Sequence, residues 1–296
     1  MTQNVIRVES LRRQRTLAKT VDISGFGYWT GQDVVFSFRP AEPNAGIRFI
    51  RDDLQNSPVI PARVENRVKK PRQTSLAVGK AQVDMVEHAL AALRAARIDN
   101  CDVVVTAPEA PGLDGSAAAY LTAFLEAGYI EQDAERITVK IDSTITLANL
   151  NGAQGELRCE PNAQNRMICS YQLLYDQPRC IPNQEACFDC SCEPDVFLRE
   201  IANCRTFLTL EEAEYLRNAG MCQRVSVKDA LVFGPQGPIE NVLRFPNECA
   251  RHKLLDFMGD FALAPVDWIG EFYACKTGHE QNAGALLTLL QEASLM

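Results

Sequence analysis

An α+β protein built as two similar halves is what this sequence predicts, on three observations. The chain has 296 residues, enough for two domains of about 150 residues, each able to bury a core without disulfide or metal staples. Candidate strands precede a pair of candidate helices in each half, whereas a continuous doubly wound sheet would alternate them one for one. A polar connector, Gln132-Asp133-Ala134, separates the halves. No sequence repeat accompanies this pattern, so duplication is inferred from the order of elements alone.

The first half opens with a glycine-rich turn over residues 23–31, followed by candidate strands at 33–38 and 46–51. The spacing of Val83, Val86 and Leu90 predicts an amphipathic helix over 83–96. A β-branched run predicts a strand at 101–106, and a helix follows at 116–127. In the second half, strands are expected at 137–141, 155–159 and 167–174, and helices at 195–202 and 210–218. Pro194 immediately precedes the first of these helices, a position suited to a helix start. A helix over 247–262, a strand over 268–274 and a helix over 282–292 complete the half.

Composition narrows the function classes. Hydrophobic residues make up 46% of the chain and the mean hydropathy is −0.15, as in ordinary globular proteins. No apolar run approaches the roughly 18 residues needed to span a bilayer. Residues 1–15 are polar, carry four arginines and lack an apolar core, so a secretory signal is not expected and a cytoplasmic enzyme is. A net charge of −8 leaves no broad basic surface for nucleic acid, while still allowing a local basic pocket for one anionic metabolite. The eleven cysteines are an odd number in a chain without an export signal, and reduced thiols are the expected state. Cys180, Cys187, Cys190 and Cys192 end in a C-x2-C-x-C run that could hold zinc or an iron-sulfur centre. They lack the paired C-x2-C spacing of common structural sites, so free thiols are preferred there.

All three histidines lie in polar clusters: Glu87-His88, His252-Lys253 with Asp256 and Asp260, and Gly278-His279. On a helix, His252, Asp256 and Asp260 recur every four residues and share one face. A histidine and an aspartate at that spacing can grip one ion at bond lengths near roughly 2 Å, and His88 supplies a third ligand. Standing alone, the segment could equally be an exposed face of ion pairs with Arg251 and Lys253. Glu87-His88 taken alone is more often a solvated helix start, with the glutamate favoured by the helix dipole. As part of a site, the pair can divide labour between accepting a proton and holding a metal. His279 is expected at a strand-to-helix junction, either as a surface residue or as a general acid supported by a carboxylate such as Asp260. Thr206 offers a hydroxyl to a developing oxyanion.

The ordered set of these segments resembles the UDP-3-O-acyl-N-acetylglucosamine deacetylases, zinc amidases of lipid A biosynthesis, from about residue 14 to residue 290. The resemblance is carried by Gln14-Arg15-Thr16-Leu17, Ile60-Pro61-Ala62-Arg63, Val86-Glu87-His88 and Leu113-Asp114-Gly115-Ser116. It continues through Arg205-Thr206-Phe207, His252-Lys253-Leu254-Leu255-Asp256 with Gly259-Asp260, and Lys276-Thr277-Gly278-His279. No single segment is specific, but the ordered set is.

Position by position, the resemblance implies that His88, His252 and Asp256 bind Zn2+. The same His2Asp set also suits Fe2+. Glu87 would be the base that activates water, His279 the cationic acid that protonates the leaving amine, and Asp260 the residue that orients His279. Thr206 would stabilise the oxyanion and Lys253 would contact the sugar nucleotide, with Phe207, Tyr28 and Trp29 also on the substrate side. The products would be acetate and UDP-3-O-acyl-glucosamine, in the committed step of lipid A biosynthesis. The implied fold is a β-α-α-β sandwich, with helices between two sheets and the site in the cleft between the halves. The halves would span residues 10–132 and 135–293, with an insert within about 207–241 shaping an acyl passage. The implied partner is a UDP-linked acylated amino sugar, with no nucleic acid, no transmembrane segment, and transient membrane proximity through the acyl chain.

This chain departs from the family pattern away from the metal. It reads Gly27-Tyr28-Trp29-Thr30-Gly31 where Gly-Leu-His-Ser-Gly is usual, Arg224-Val225 where a glycine pair is usual, and Gly112 where isoleucine is common. Bulkier residues in place of glycine restrict the backbone and narrow any channel they line. The departures bear on which substrate is used. A deacetylase of another acylated or unacylated amino sugar is therefore the alternative, and a non-catalytic metal-binding descendant a more remote one.

Overall fold

The computed structural model describes residues 4–150, 154–175 and 180–296, and confirms an α+β chain with several sheets. One of the two larger sheets is five-stranded and runs in the order Val21–Phe26, Asp33–Pro40, Cys101–Val105, Ile47–Arg51, Val59–Pro61. Its pairs are antiparallel except Cys101–Val105 with Ile47–Arg51. Strand Asp33–Pro40 shows why it forms: Val34, Phe36 and Phe38 alternate inward at the two-residue period of a pleated strand. The other larger sheet has seven strands arranged about the long strand Asp267–Cys275, which pairs with Thr138–Ile141, Glu156–Glu160 and Met167–Leu173.

Six α-helices follow in chain order among the described residues: α1 (Glu87–Ala95), α2 (Ala118–Ala127), α3 (Pro194–Phe197), α4 (Leu210–Asn218), α5 (Glu248–Phe261) and α6 (His279–Glu292). α3 runs into a π-helical turn over Leu198–Ala202. α4 starts at a capping box in which Thr209 Oγ1 accepts from the Glu212 N–H at 3.2 Å and the Glu212 side chain accepts from the Thr209 N–H at 2.9 Å. α5 packs on α1, on α6 and on strands Met167–Leu173 and Gln184–Asp189. α2 packs on α1 and on strand Val21–Phe26. The helices thus pack on one another and on strands of both larger sheets. Phe257 and Phe261 stack at 4.1 Å on the α5 face that meets Phe272. A glycine sets the α1–α5 approach: a Cβ on Gly259 would lie 2.1 Å from the Glu87 carbonyl oxygen.

Several expectations need correction. The proposed turn over 23–31 begins with strand residues, because Val21–Phe26 pairs with Asp33–Pro40 and leaves only the tight connection at Gly27–Gln32. Gln132, Asp133 and Ala134 lie within strand Tyr129–Glu135, paired with Arg13–Leu17 through a register shift between Glu131 and Glu135. Polar composition suggested a connector there, but an edge pair exposed to water tolerates polar side chains. Strand Val5–Val8 pairs with Thr138–Ile141 and so belongs to the sheet of the second half. The helix expected over 83–96 begins only at Glu87, because Ala81–Val83 is paired in a small three-stranded sheet. α6 begins three residues before the expected position.

Residues 207–241 hold α4 and a second small sheet of Phe207–Thr209, Leu231–Gly234 and Gly237–Pro238. All eleven cysteines are free. Cys190 Sγ donates to the Phe188 carbonyl at 3.8 Å, Cys180 Sγ donates to the Phe233 carbonyl at 3.4 Å, and Cys187 is exposed. Among the described residues these thiols do not converge as a metal-ligand set. No helix among the described residues is long and apolar enough to cross a membrane.

Candidate active site

Local geometry brings six of the sequence candidates to one buried point. The chain leaves strand Ala81–Val83, turns at Met85 with a left-handed φ of 56°, and starts α1 with Glu87 and His88 on its first turn. Both are buried, at 3% and 5% exposure, which rules out the solvated helix start. α5 presents His252, Asp256 and Asp260 on one face, all of them buried. The exposed ion-paired face is likewise ruled out. His279 is the first residue of α6, immediately after the turn that ends strand Asp267–Cys275, as expected of a strand-to-helix junction.

Ligand-type atoms of His88, His252 and Asp256 all lie within 4.8 Å of one another, the only such group of three found among the described residues. Asp256 Oδ1 is 3.3 Å from His252 Nε2 and 3.6 Å from His88 Nε2. Donors on a tetrahedral zinc ion at ordinary bond lengths stand about 3.3 Å apart, so these residues fit a small divalent cation. His252 Nδ1 donates to the Cys204 carbonyl at 3.0 Å, which fixes the tautomer that leaves Nε2 with a lone pair. Burial first, and His88 and Lys253 beside it, lower the His252 pKa to about 4 against the attraction of Asp256, so the ring is neutral at pH 7. Burial alone would raise the Asp256 pKa. Lys253, whose Nζ donates to Oδ2 at 2.6 Å, together with His252 holds it well below the usual carboxylate range.

Glu87 and His279 face each other beside this group, with Glu87 Oε1 4.0 Å from His279 Nε2. His279 Nε2 is also 4.0 Å from Asp256 Oδ2. Burial raises the Glu87 pKa, making it a stronger base, against the opposing pull of His279 and His88. Burial alone would lower the His279 pKa, but Asp260, Glu87 and Asp256 together lift it to about 9. The principal contact is Asp260, whose Oδ2 and Oδ1 lie 3.0 and 3.1 Å from Nδ1. A carboxyl group of raised pKa therefore stands beside an imidazole that is cationic at neutral pH. Asp260 also accepts from Asn282 Nδ2 at 2.8 Å and from the Thr74 hydroxyl. Thr74 and Asn282 were not among the sequence candidates.

The group opens into a cavity of about 1150 Å³. Thr206, Phe207, Lys253, Tyr28 and Trp29 all line it. Gly115 accepts from the Thr206 N–H at 2.8 Å, so the Leu113-Asp114-Gly115-Ser116 segment serves to place Thr206. Phe207 lies edge-on to His252 at 6.0 Å. Tyr28 is 6% exposed, and its hydroxyl donates to the Asp229 and Leu113 carbonyls at 2.5 and 3.1 Å. A Cβ on Gly112 would sit 1.9 Å from the Tyr28 ring, so the ring fills the space that a side chain at 112 would occupy. Trp29 is held by its backbone N–H on Glu109 at 2.8 Å. Arg224 caps the Phe26 ring at 4.4 Å and binds the Gly31 carbonyl and Asp33, tying its loop to the hairpin around the Gly27–Gln32 connection.

Buried histidine and carboxylate side chains that could hold a metal ion, beside a Glu–His pair and opening into a large cavity, fit a hydrolase. The family follows from comparison with known proteins: the chain belongs to the UDP-3-O-acyl N-acetylglycosamine deacetylase family (LpxC), whose profile matches residues 14–291. A UDP-3-O-acyl-N-acetylglucosamine deacetylase of Thermosynechococcus vestitus is 36% identical over 94% of each chain. One of Coxiella burnetii is 34% identical over 95% of this chain and 91% of its own. A bifunctional LpxC/FabZ enzyme of Chlorobaculum tepidum is 34% identical over 92% of this chain, which spans 63% of that longer protein.

Proposed function

We propose that this protein hydrolyses the N-acetyl group of UDP-3-O-acyl-N-acetylglucosamine, a step of lipid A biosynthesis, with zinc held by His88, His252 and Asp256. The observation that carries the reading is the composition of the cavity. Leu216, Val225, Val232 and Ile239 offer an apolar wall from the 207–241 segment, while Lys69, Arg72 and Lys276 bring cations to the same space. A substrate carrying both an acyl chain and a diphosphate needs both surfaces around one hydrolytic group. The family and its curated relatives support the same substrate.

A divalent cation bound there supplies a Lewis acid that polarises the acetamide carbonyl and makes water more acidic. Glu87 removes a proton from the attacking water as its oxygen bonds to the carbonyl carbon. Thr206 stabilises the oxyanion that forms, and Lys253 contacts the sugar nucleotide while holding Asp256. His279, kept cationic by Asp260, donates its proton to the amide nitrogen as the C–N bond breaks, giving acetate and the free amine. The metal and catalytic roles divide between segments 10–132, which supplies Glu87 and His88, and 135–293, which supplies the rest; the proposed setting is the cytoplasm.

The test is release of free amine from UDP-3-O-acyl-N-acetylglucosamine by purified protein, beside Glu87→Ala and a chelated sample. Turnover lost in both controls and restored to the chelated sample by zinc is expected. Fully metallated but inactive wild-type protein would instead favour another amino-sugar substrate, a reading to which Tyr28 over Gly112 and Arg224 over Phe26 lend some weight, since both reshape the region around the cavity.

A further inference from the structure

We infer that Thr74 is a positioning residue that sets the base and the acid of the site relative to each other. The inference rests on the hydrolytic roles proposed for Glu87 and His279. Thr74 is fully buried, directly before strand Ser75–Val78, and each of its polar groups is engaged by a catalytic element. Its N–H donates to Glu87 Oε2 at 3.0 Å, and its carbonyl accepts from the N–H of Val86, the residue before α1, at 3.2 Å. Its hydroxyl donates to Asp260 Oδ1, and Oγ1 stands 3.2 Å from His279 Nδ1.

These contacts have a directional consequence. With Oε2 of Glu87 tied to the Thr74 backbone, Oε1 is the oxygen turned toward His279 Nε2. Asp260 is held at both oxygens, by the Thr74 hydroxyl on Oδ1 and by Asn282 on Oδ2, which fixes the carboxylate plane against His279 Nδ1. Removing the hydroxyl leaves Oδ1 one donor short in a dry site and frees the carboxylate to rotate, taking the imidazole with it. One residue thus spans α1 and the α5–α6 contact, from which the two proton-carrying side chains come.

A purely packing role would be filled by valine, which has the shape of threonine without its hydroxyl. The experiment compares Thr74→Val, Thr74→Ala and Thr74→Ser for kcat, KM, bound metal and melting temperature, with crystal structures of the alanine and serine variants. Loss of the hydroxyl in the valine and alanine variants is expected to lower kcat about 10–100-fold, with KM, metal content and melting temperature close to wild type. The serine variant is expected to recover kcat to within about threefold of wild type. Alanine and serine differ by the hydroxyl alone, so equal kcat in those two overturns the inference even if the valine variant does not fold. Inactive wild-type protein would count against the proposed substrate and leave Thr74 to the crystal structures. There, a displaced Asp260–His279 pair in the alanine variant and not in the serine variant supports the role, and an undisturbed pair in both overturns it.

Discussion

Replacing Gly259 with alanine separates local from tertiary physics cleanly, because the two give opposite signs. In a helix interior alanine is favoured over glycine by about 1 kcal/mol, so α5 by itself would gain. In the folded protein the new methyl group would lie 2.1 Å from the Glu87 carbonyl oxygen, 2.8 Å from its carbon and 3.0 Å from its Cα. The shortest of these is about 1.3 Å inside ordinary contact, and all three partners are backbone, so no side chain can swing aside. Relief comes only by moving α5 away from the start of α1. Overpacking of this kind costs typically 1–3 kcal/mol, and here the contact is at the severe end, so a net loss of about 2 kcal/mol is expected in a urea unfolding midpoint. The same movement separates His88 on α1 from His252 and Asp256 on α5, and metal sites tolerate only about 0.2 Å in ligand distances. Bound metal should therefore fall, and turnover should drop by about 100-fold, the cost of a misplacement near 1 Å. A variant as stable as wild type with a full complement of metal would refute the reasoning.

Two further outcomes follow from the charge network. His279 is protonated below its raised pKa of about 9, so activity that needs its proton should persist at neutral pH and fall as pH rises through that region. Asp260→Asn removes the chief support of the cation and should move this basic limb of the pH–rate profile to lower pH, whereas an unmoved limb would assign the acid elsewhere. Asp267 would be raised by burial alone, but Arg12, Arg136 and Arg94 hold its pKa far below the usual carboxylate range. A carboxylate depressed in the folded state contributes stability above its unfolded pKa and loses it as pH falls further. Wild-type protein should therefore lose stability from about pH 5 downward, and Asp267→Asn should show a flatter decline when urea midpoints are compared across that range.

What the sequence made legible, and what it hid, divides along the range of the physics involved. His252, Asp256 and Asp260 could be placed on one face because a helix repeats locally every 3.6 residues, and α5 puts them there. The cysteine run of 180–192 carried a local spacing too, but hairpin geometry disperses it. Cys187 lies in strand Gln184–Asp189 facing water, while Cys190, just beyond the strand, turns its thiol back to the Phe188 carbonyl. Thr74 left no trace in the sequence, since it is not ionisable, a lone hydroxyl is commonplace in any chain, and its other two contacts are made by backbone groups that every residue possesses. The pairing of Val5–Val8 with Thr138–Ile141 is invisible for a related reason, because register between segments so far apart in the chain is settled only by the finished sheet. The departures at Tyr28 and Gly112 make the sharpest case. Read singly, an aromatic ring narrows a channel and a glycine widens one. In the fold they are a single exchange of volume, with the Tyr28 ring seated where a Gly112 side chain would stand and its hydroxyl fastened to the Asp229 carbonyl. The difference from the family pattern is therefore a relocated wall joined to the 207–241 segment. Changing either residue alone should disturb packing more than changing both together.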